Sequence, residues 1–162
     1  MKELYFKRIY FFSPIKICQY ADILTKCGKD MFEKYGLKHW KNCFFKNLLI
    51  VAYGTLKNKV YIGYSDRHYC CAFQYKTIKN SKSIHFSKLC TIPYFSSRGF
   101  GTMCIKYLEN VARSMSFLKL TCDVYDKSEK AISFYKNKEF VVIGTKKTLK
   151  YSELVLSKEI TI

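Results

Sequence analysis

Residues 89–114, LCTIPYFSSRGFGTMCIKYLENVARS, constrain the fold more than any other stretch of the chain. An apolar run from Lys88 to Ile92 stops at Pro93, and after five more residues come Gly99 and Gly101. From Phe100 the apolar residues fall at Met103, Cys104, Tyr107, Leu108, Val111, Ala112 and Met115, the spacing of one helical face. This pattern predicts a strand, a loop and a helix. Ser96 and Ser97 stand where they can cap the orphan N–H groups of that helix, and Gly99 and Gly101 can take backbone angles closed to other residues. Exposed amides at the positive end of a helix dipole form a seat for phosphate, and Arg98 adds a full positive charge.

Three readings compete for this stretch. The plainest is a tight turn with no ligand. The second is a dinucleotide-binding loop, with Asp123 at about the right distance to hold a ribose. That reading fails because Cys104 occupies the place of the third glycine, and because the loop lies past the middle of the chain with no parallel crossover before it. The third comes from likeness. Leu89, Cys90, Thr91, Ile92, Pro93, Tyr94 and Phe95, followed by Ser96, Ser97, Arg98, Gly99, Phe100 and Gly101, resemble the acyl-CoA pyrophosphate loop of the GNAT superfamily of N-acetyltransferases. The apolar triplet, proline, aromatic and both glycines are in register. Ser96 stands where that family has Gln or Arg, and Arg98 supplies charge two positions later.

A second block follows at the spacing the resemblance requires. After a predicted strand, Leu118 to Val124, the run from Ser128 to Lys136 is similar to the family's next helix, with Ala131, Ile132 and Tyr135 in its Ala-Ile-x-x-Tyr core. Ser128 replaces the usual Asn, and Lys138-Glu139-Phe140 replaces Leu-Gly-Phe.

Elsewhere the pattern predicts a first strand from Lys2 to Phe12, with no signal peptide. A helix begins at Ser13-Pro14, with Ser13 as cap, shows a helical face as far as Gly28 and extends to Gly36. A loop carrying His39 and Trp40 leads to a second helix, Phe44 to Leu56; the pair either lines a substrate mouth or plugs the core. Strands Val60 to Ser65 and Tyr69 to Lys76 form a hairpin at Asp66-Arg67, and a third strand, Ile84 to Ile92, reaches the loop. Phe140 to Lys146 and Leu149 to Ser157 close the chain as two strands.

This order matches the resemblance, which implies an α/β (mixed α+β) fold. Its central sheet is mostly antiparallel, with about seven strands splayed near the middle, and four helices flank it. Residues 1–162 are expected to make one domain, in keeping with their length and 49% hydrophobic content. No apolar run is long enough for a membrane span, and no membrane partner is expected. The eight cysteines form no Cys-x-x-Cys pair and sit in apolar patterns, which reads as buried free thiols in a cytoplasmic protein. Three scattered histidines suggest no metal site. A net charge of +17 favours an anionic partner. Because 25 of the 29 basic residues are lysines spread along the chain, nucleic acid is possible but not favoured.

The resemblance implies acetyl-CoA as cosubstrate and direct transfer of the acetyl group to a primary amine of a small molecule or protein. The cofactor would meet main-chain groups of Leu89, Cys90 and Thr91, the loop from Ser96 to Thr102, and Ser128. Tyr135 would be the acid for the departing thiolate, and His85 the base, with Ser87 holding a relay water. The alternatives are an acyl-CoA binder without turnover, a basic RNA-binding module, and an enzyme acetylating aminoacyl-tRNA. The amine is not legible, and a homodimer is possible.

Overall fold

The computed structural model describes residues 4–161. Its seven strands are β1 (Tyr5–Ile9), β2 (Lys59–Ser65), β3 (His68–Ile78), β4 (Ser83–Thr91), β5 (Lys119–Tyr125), β6 (Val141–Lys147) and β7 (Ser152–Glu159). Four helices join them: α1 (Pro14–Tyr35), α2 (Phe44–Lys57), α3 (Phe100–Ser114) and α4 (Glu129–Lys136). The strands form one mixed sheet in the order β1-β2-β3-β4-β5-β7-β6. β4 and β5 run parallel, and β1–β2, β2–β3, β5–β7 and β6–β7 are antiparallel. The chain forms two compact units, residues 1–76 with 88–104, and residues 77–87 with 105–162.

In the first unit the apolar face of α1 buries Ile17, Tyr20, Ile23, Leu24 and Cys27 in a core with Val51 of α2, Val60 and Ile62 of β2, and Cys90 and Ile92. Polar bonds fix the helix in register. Tyr64 donates its hydroxyl to Gln19 Oε1 at 2.6 Å, Tyr69 donates to Asp22 Oδ2 at 2.9 Å, and Asn47 of α2 donates to Thr25 Oγ1 at 2.9 Å. Gly36 ends α1 in a left-handed conformation, φ 66°, with its N–H on the Phe32 carbonyl. Asp66 and Arg67 have φ of 50° and 67°, the paired positive angles of a tight hairpin turn whose twist suits the flanking strands.

In the second unit Ile84 and Phe86 of β4 are buried with Ile105, Leu108 and Ala112 of α3, Leu120 and Cys122 of β5, Phe140, and Leu156 of β7. Lys158 Nζ lies 2.7 Å from Glu109 Oε1 and 2.9 Å from Glu139 Oε2, tying β7 to α3 and to the exit of α4.

Several sequence expectations give way to tertiary structure. Strand β1 is shorter than expected, because the chain turns at Phe11-Phe12; Lys2 and Glu3 lie outside the described residues. Ser13 makes no side-chain cap; its carbonyl accepts the Ile17 N–H at 3.0 Å. Gly28 lies inside α1 because the helix needs a gap there: a Cβ would stand 2.2 Å from the Trp40 carbonyl oxygen. Of the eight cysteines, six are buried, but Cys18 and Cys43 are exposed.

Two glycine substitutions test this account. Gly28→Ala forces α1 away from the loop carrying Trp40 and should cost about 1–3 kcal/mol, read from denaturant unfolding. Glu139 holds φ 66°, the left-handed position where the similar family has glycine. Glu139→Gly removes that strain and loses an ion pair made by an exposed carboxylate, which is worth little in water. The net expectation is a melting temperature higher by about 2–4 °C.

Candidate functional site

The first group of candidate residues lies in the first unit, where β4 becomes the glycine loop. Lys88 sits at φ 51° inside β4, so the strand bulges just before the apolar triplet. Two groups from one face of α1 hold this segment. Tyr20 donates its hydroxyl to the Lys88 carbonyl at 3.0 Å, and Cys27 donates its thiol to the Thr91 carbonyl at 3.1 Å. Seven helical residues span about 10.5 Å and three extended residues span about 10 Å, so the two donors match the two acceptors. Burial pushes the Tyr20 phenol well up, which keeps it a hydrogen-bond donor at any working pH. On the other side Ile92 donates its N–H to the Cys70 carbonyl at 2.8 Å.

Past Ile92 the chain makes a short 3-10 turn, Pro93–Phe95, then reaches Ser97 at φ 62° and Gly99 at φ 82° before entering α3 at Phe100. The Met103 N–H bonds the Gly99 carbonyl at 3.0 Å. The expected serine caps do not form: Ser96 donates its hydroxyl back to the Pro93 carbonyl at 2.8 Å, and Ser97 takes a left-handed turn. Of the two loop glycines, Gly99 alone has positive φ; Gly101, like Thr102, is already in the first turn of α3. Main-chain groups, rather than hydroxyls, therefore shape the approach to the helix.

Arg98 lies across the rings of Tyr94 and Phe95, its guanidinium carbon 5.1 and 5.3 Å from their centroids. The same side chain lines a cavity of about 420 Å³ together with Ser65, Asp66, His68, Tyr94, Phe95 and Phe100. The buried Ser65 hydroxyl has no hydrogen-bond partner among the described residues. His39 and Trp40 occupy the α1–α2 loop, their rings 6.0 Å apart, and Trp40 packs on the core of the first unit. Partial burial pushes the His39 imidazole down from its ordinary value.

The second group lies in the second unit. The β4–β5 ladder pairs Ser83 with Lys119, Ile84 with Leu120 and His85 with Thr121, and ends there. At its last pair His85 Nδ1 is 3.1 Å from Thr121 Oγ1, and Nε2 is 4.0 Å from Asp123 Oδ2. Lys146 of β6 donates to the same Asp123 oxygen at 3.1 Å. Sequence reasoning singled out His85 but not its partners, because Thr121 and Asp123 are brought to it by strand register; their i, i+2 spacing on β5 was the only available signal. Ser87 is half-buried on the same strand.

Tyr135 is buried in α4 among aromatic rings, with centroids 5.9 Å from Phe86, 5.1 Å from Phe134 and 5.5 Å from Phe140. Ser128, also buried, precedes α4 and accepts the Ile132 N–H on its carbonyl, without a side-chain cap bond.

The acetyltransferase (GNAT) family model matches residues 18–140. The chain belongs to this family. No curated protein matches it in sequence. Among solved structures it is similar to the PaiA N-acetyltransferase of Thermoplasma acidophilum in complex with coenzyme A, at TM-score 0.76 and 11% identity, over 97% of this chain and 99% of that one. A GNAT-family protein from Desulfovibrio desulfuricans gives TM-score 0.77 at 12% identity, over 98% of this chain and 100% of that one. The ribosomal-protein-S18-alanine N-acetyltransferase of Escherichia coli gives 0.73 at 8% identity, over 99% and 96%. At these identities the likeness establishes the fold, and the family match carries membership.

The pinning of β4 by α1 is testable without any ligand. Tyr20→Phe leaves the Lys88 carbonyl with only the Cys90 thiol, 3.4 Å away, and should cost about 1 kcal/mol in denaturant unfolding. An unchanged stability would mean that the bulge is held by strand pairing alone.

Proposed function

We propose that this GNAT-family chain is an acetyl-CoA-dependent N-acetyltransferase whose acceptor is a primary amine. The observation that carries the reading is the backbone path into α3. Left-handed turns at Ser97 and Gly99 precede the first helical turn at Phe100, in the stretch that resembles the family's pyrophosphate loop. Amides at a helix start and in such turns favour a diphosphate, and Arg98 supplies further charge. A relative of the same fold was solved with coenzyme A. The single-domain reading of residues 1–162 belongs to the proposal and is supported by a family match that runs through both units.

The cosubstrate's pantetheine arm would bond main-chain groups of Leu89, Cys90 and Thr91, with the loop from Ser96 to Thr102 at its phosphates; Ser128 would be a further contact. The β4–β5 ladder stops after three pairs, which supports a strand left available beyond His85. In the reaction the amine nitrogen forms a bond to the acetyl carbon as the carbon–sulfur bond breaks. The thiolate takes a proton from the Tyr135 phenol, and the proton lost by the amine goes to His85, directly or through a water held by Ser87. Thr121 orients the imidazole from Nδ1, and Asp123 balances the charge the ring gains. The loop carrying His39 and Trp40 would face the acceptor. Free thiols, six of them buried, support a reducing, cytoplasmic setting.

The first test is a melting curve with and without acetyl-CoA. At 100 times its Kd the ligand should add about 2.7 kcal/mol of stability. No shift at saturating acetyl-CoA would refute the reading. With an amine panel scored by thiol release, Tyr135→Phe should lower kcat while the acetyl-CoA-induced shift survives. A chain that binds acetyl-CoA and turns over no amine would instead be a binder. His85→Gln should lower kcat/KM by roughly 10²–10⁴ and flatten the acid limb of the pH profile; an unaltered acid limb would remove His85 from the role of base.

A further inference from the structure

A surface helix in a protein this size normally turns an apolar stripe inward and a polar face outward. Helix α2 (Phe44–Lys57) does the first and not the second. Its inner side buries Asn47, Val51 and Gly54. Its outer side carries Phe45, Leu49, Tyr53 and Leu56, which are 75, 71, 57 and 63% exposed. At 100° per residue these four fall within an arc of about 80°, a continuous apolar stripe along three turns. Exposed Lys46 and Lys57 border it on one flank, and the Lys57 ammonium sits 4.6 Å above the Tyr53 ring.

The sequence around the stripe is one-signed. From Lys34 to Lys59 there are six lysines and no aspartate or glutamate. Exposed Lys38 and Lys41 precede α2 in the loop that leads into it. A second copy docking through this face would bring lysine against lysine, with no carboxylate in the segment to receive them. Nucleic acid would answer the lysines and leave four large apolar side chains in water. An occupant that satisfies both features must be apolar in depth and anionic at its surface.

We propose that the outer face of α2 seats the protein on an anionic lipid surface, with Phe45, Leu49, Tyr53 and Leu56 inserted among the headgroups and Lys46 and Lys57 on lipid phosphates. The helix lies in the plane of the surface. Its 14 residues span about 21 Å, less than the roughly 30 Å of a hydrocarbon core, and no described helix is long and apolar enough to cross a membrane. The Tyr53–Lys57 pair suits the boundary layer, where an aromatic body sits in the apolar region and its polar tip and the neighbouring ammonium stay wet. This surface contains none of the residues assigned to acetyl transfer, so it stands or falls separately from that reading.

The experiment is co-sedimentation of the full chain with vesicles of phosphatidylcholine and phosphatidylglycerol, and with phosphatidylcholine alone, alongside size-exclusion chromatography without lipid. The wild-type chain should pellet with the mixed vesicles and stay in solution with the neutral ones. Phe45→Ser and Leu49→Ser should each weaken partitioning roughly tenfold, and Lys46→Gln and Lys57→Gln each about fivefold. All four side chains are exposed, so melting temperatures should not move. The proposal is overturned if the chain ignores the mixed vesicles, or if both serine variants bind them as tightly as wild type. It is equally overturned if the chain runs as a dimer that Leu49→Ser splits, since the stripe would then be a self-interface.

Discussion

The local structure of the candidate loop depends on how α1 grips the C-terminal half of β4. Lys88 takes a left-handed angle inside β4, and a buried carbonyl without a good donor is costly. Tyr20 supplies that donor, and Cys27, two turns along the same helix face, supplies another to Thr91. The fit between two helical turns and three extended residues makes the arrangement specific. Gly28 lets the loop with Trp40 press against the helix directly beside Cys27. One helix thereby carries the core of its unit, the main chain leading into the glycine loop, and the loop proposed to face the acceptor.

In the second unit the comparable constraint is strand register. Parallel pairing of β4 with β5 places Thr121 opposite His85, and the pleat then returns Asp123 to the same face two residues on. Lys146 comes from β6 through antiparallel pairing to β7. Four polar side chains from three strands thus meet at the last pair of the β4–β5 ladder. A one-residue slip in that ladder would send the carboxylate to the other face and dissolve the cluster.

The distribution of charge and apolar surface adds a separate theme. A chain with a net charge of +17 has little reason to self-associate through a lysine-bordered surface. It has good reason to meet an anion, whether the phosphates of a cosubstrate at α3 or a headgroup layer at α2. The two proposed sites lie on different elements and would use different physics: main-chain amides and a stacked arginine at one, inserted side chains and exposed lysines at the other.

Order and type of element were readable from hydrophobic periodicity and turn chemistry: the Pro93 stop, the 3-4 spacing from Phe100 and the Asp66-Arg67 turn all express local rules. The motif residues from Leu89 to Gly101 and from Ala131 to Tyr135 also announced the family, because phosphate seats and their neighbouring helix are built from contiguous sequence. What sequence alone left undecided is what arises between distant segments. Ser96 and Ser97 looked like caps and are not, since the Pro93 turn claims one and a left-handed angle the other. Thr121 and Asp123 became partners of His85 only through register. Phe45, Leu49, Tyr53 and Leu56 read only as part of an apolar second helix, and folding left them outside. Periodicity tells which residues share a helix face, but which apolar face the rest of the chain covers is settled only when the neighbours are in place.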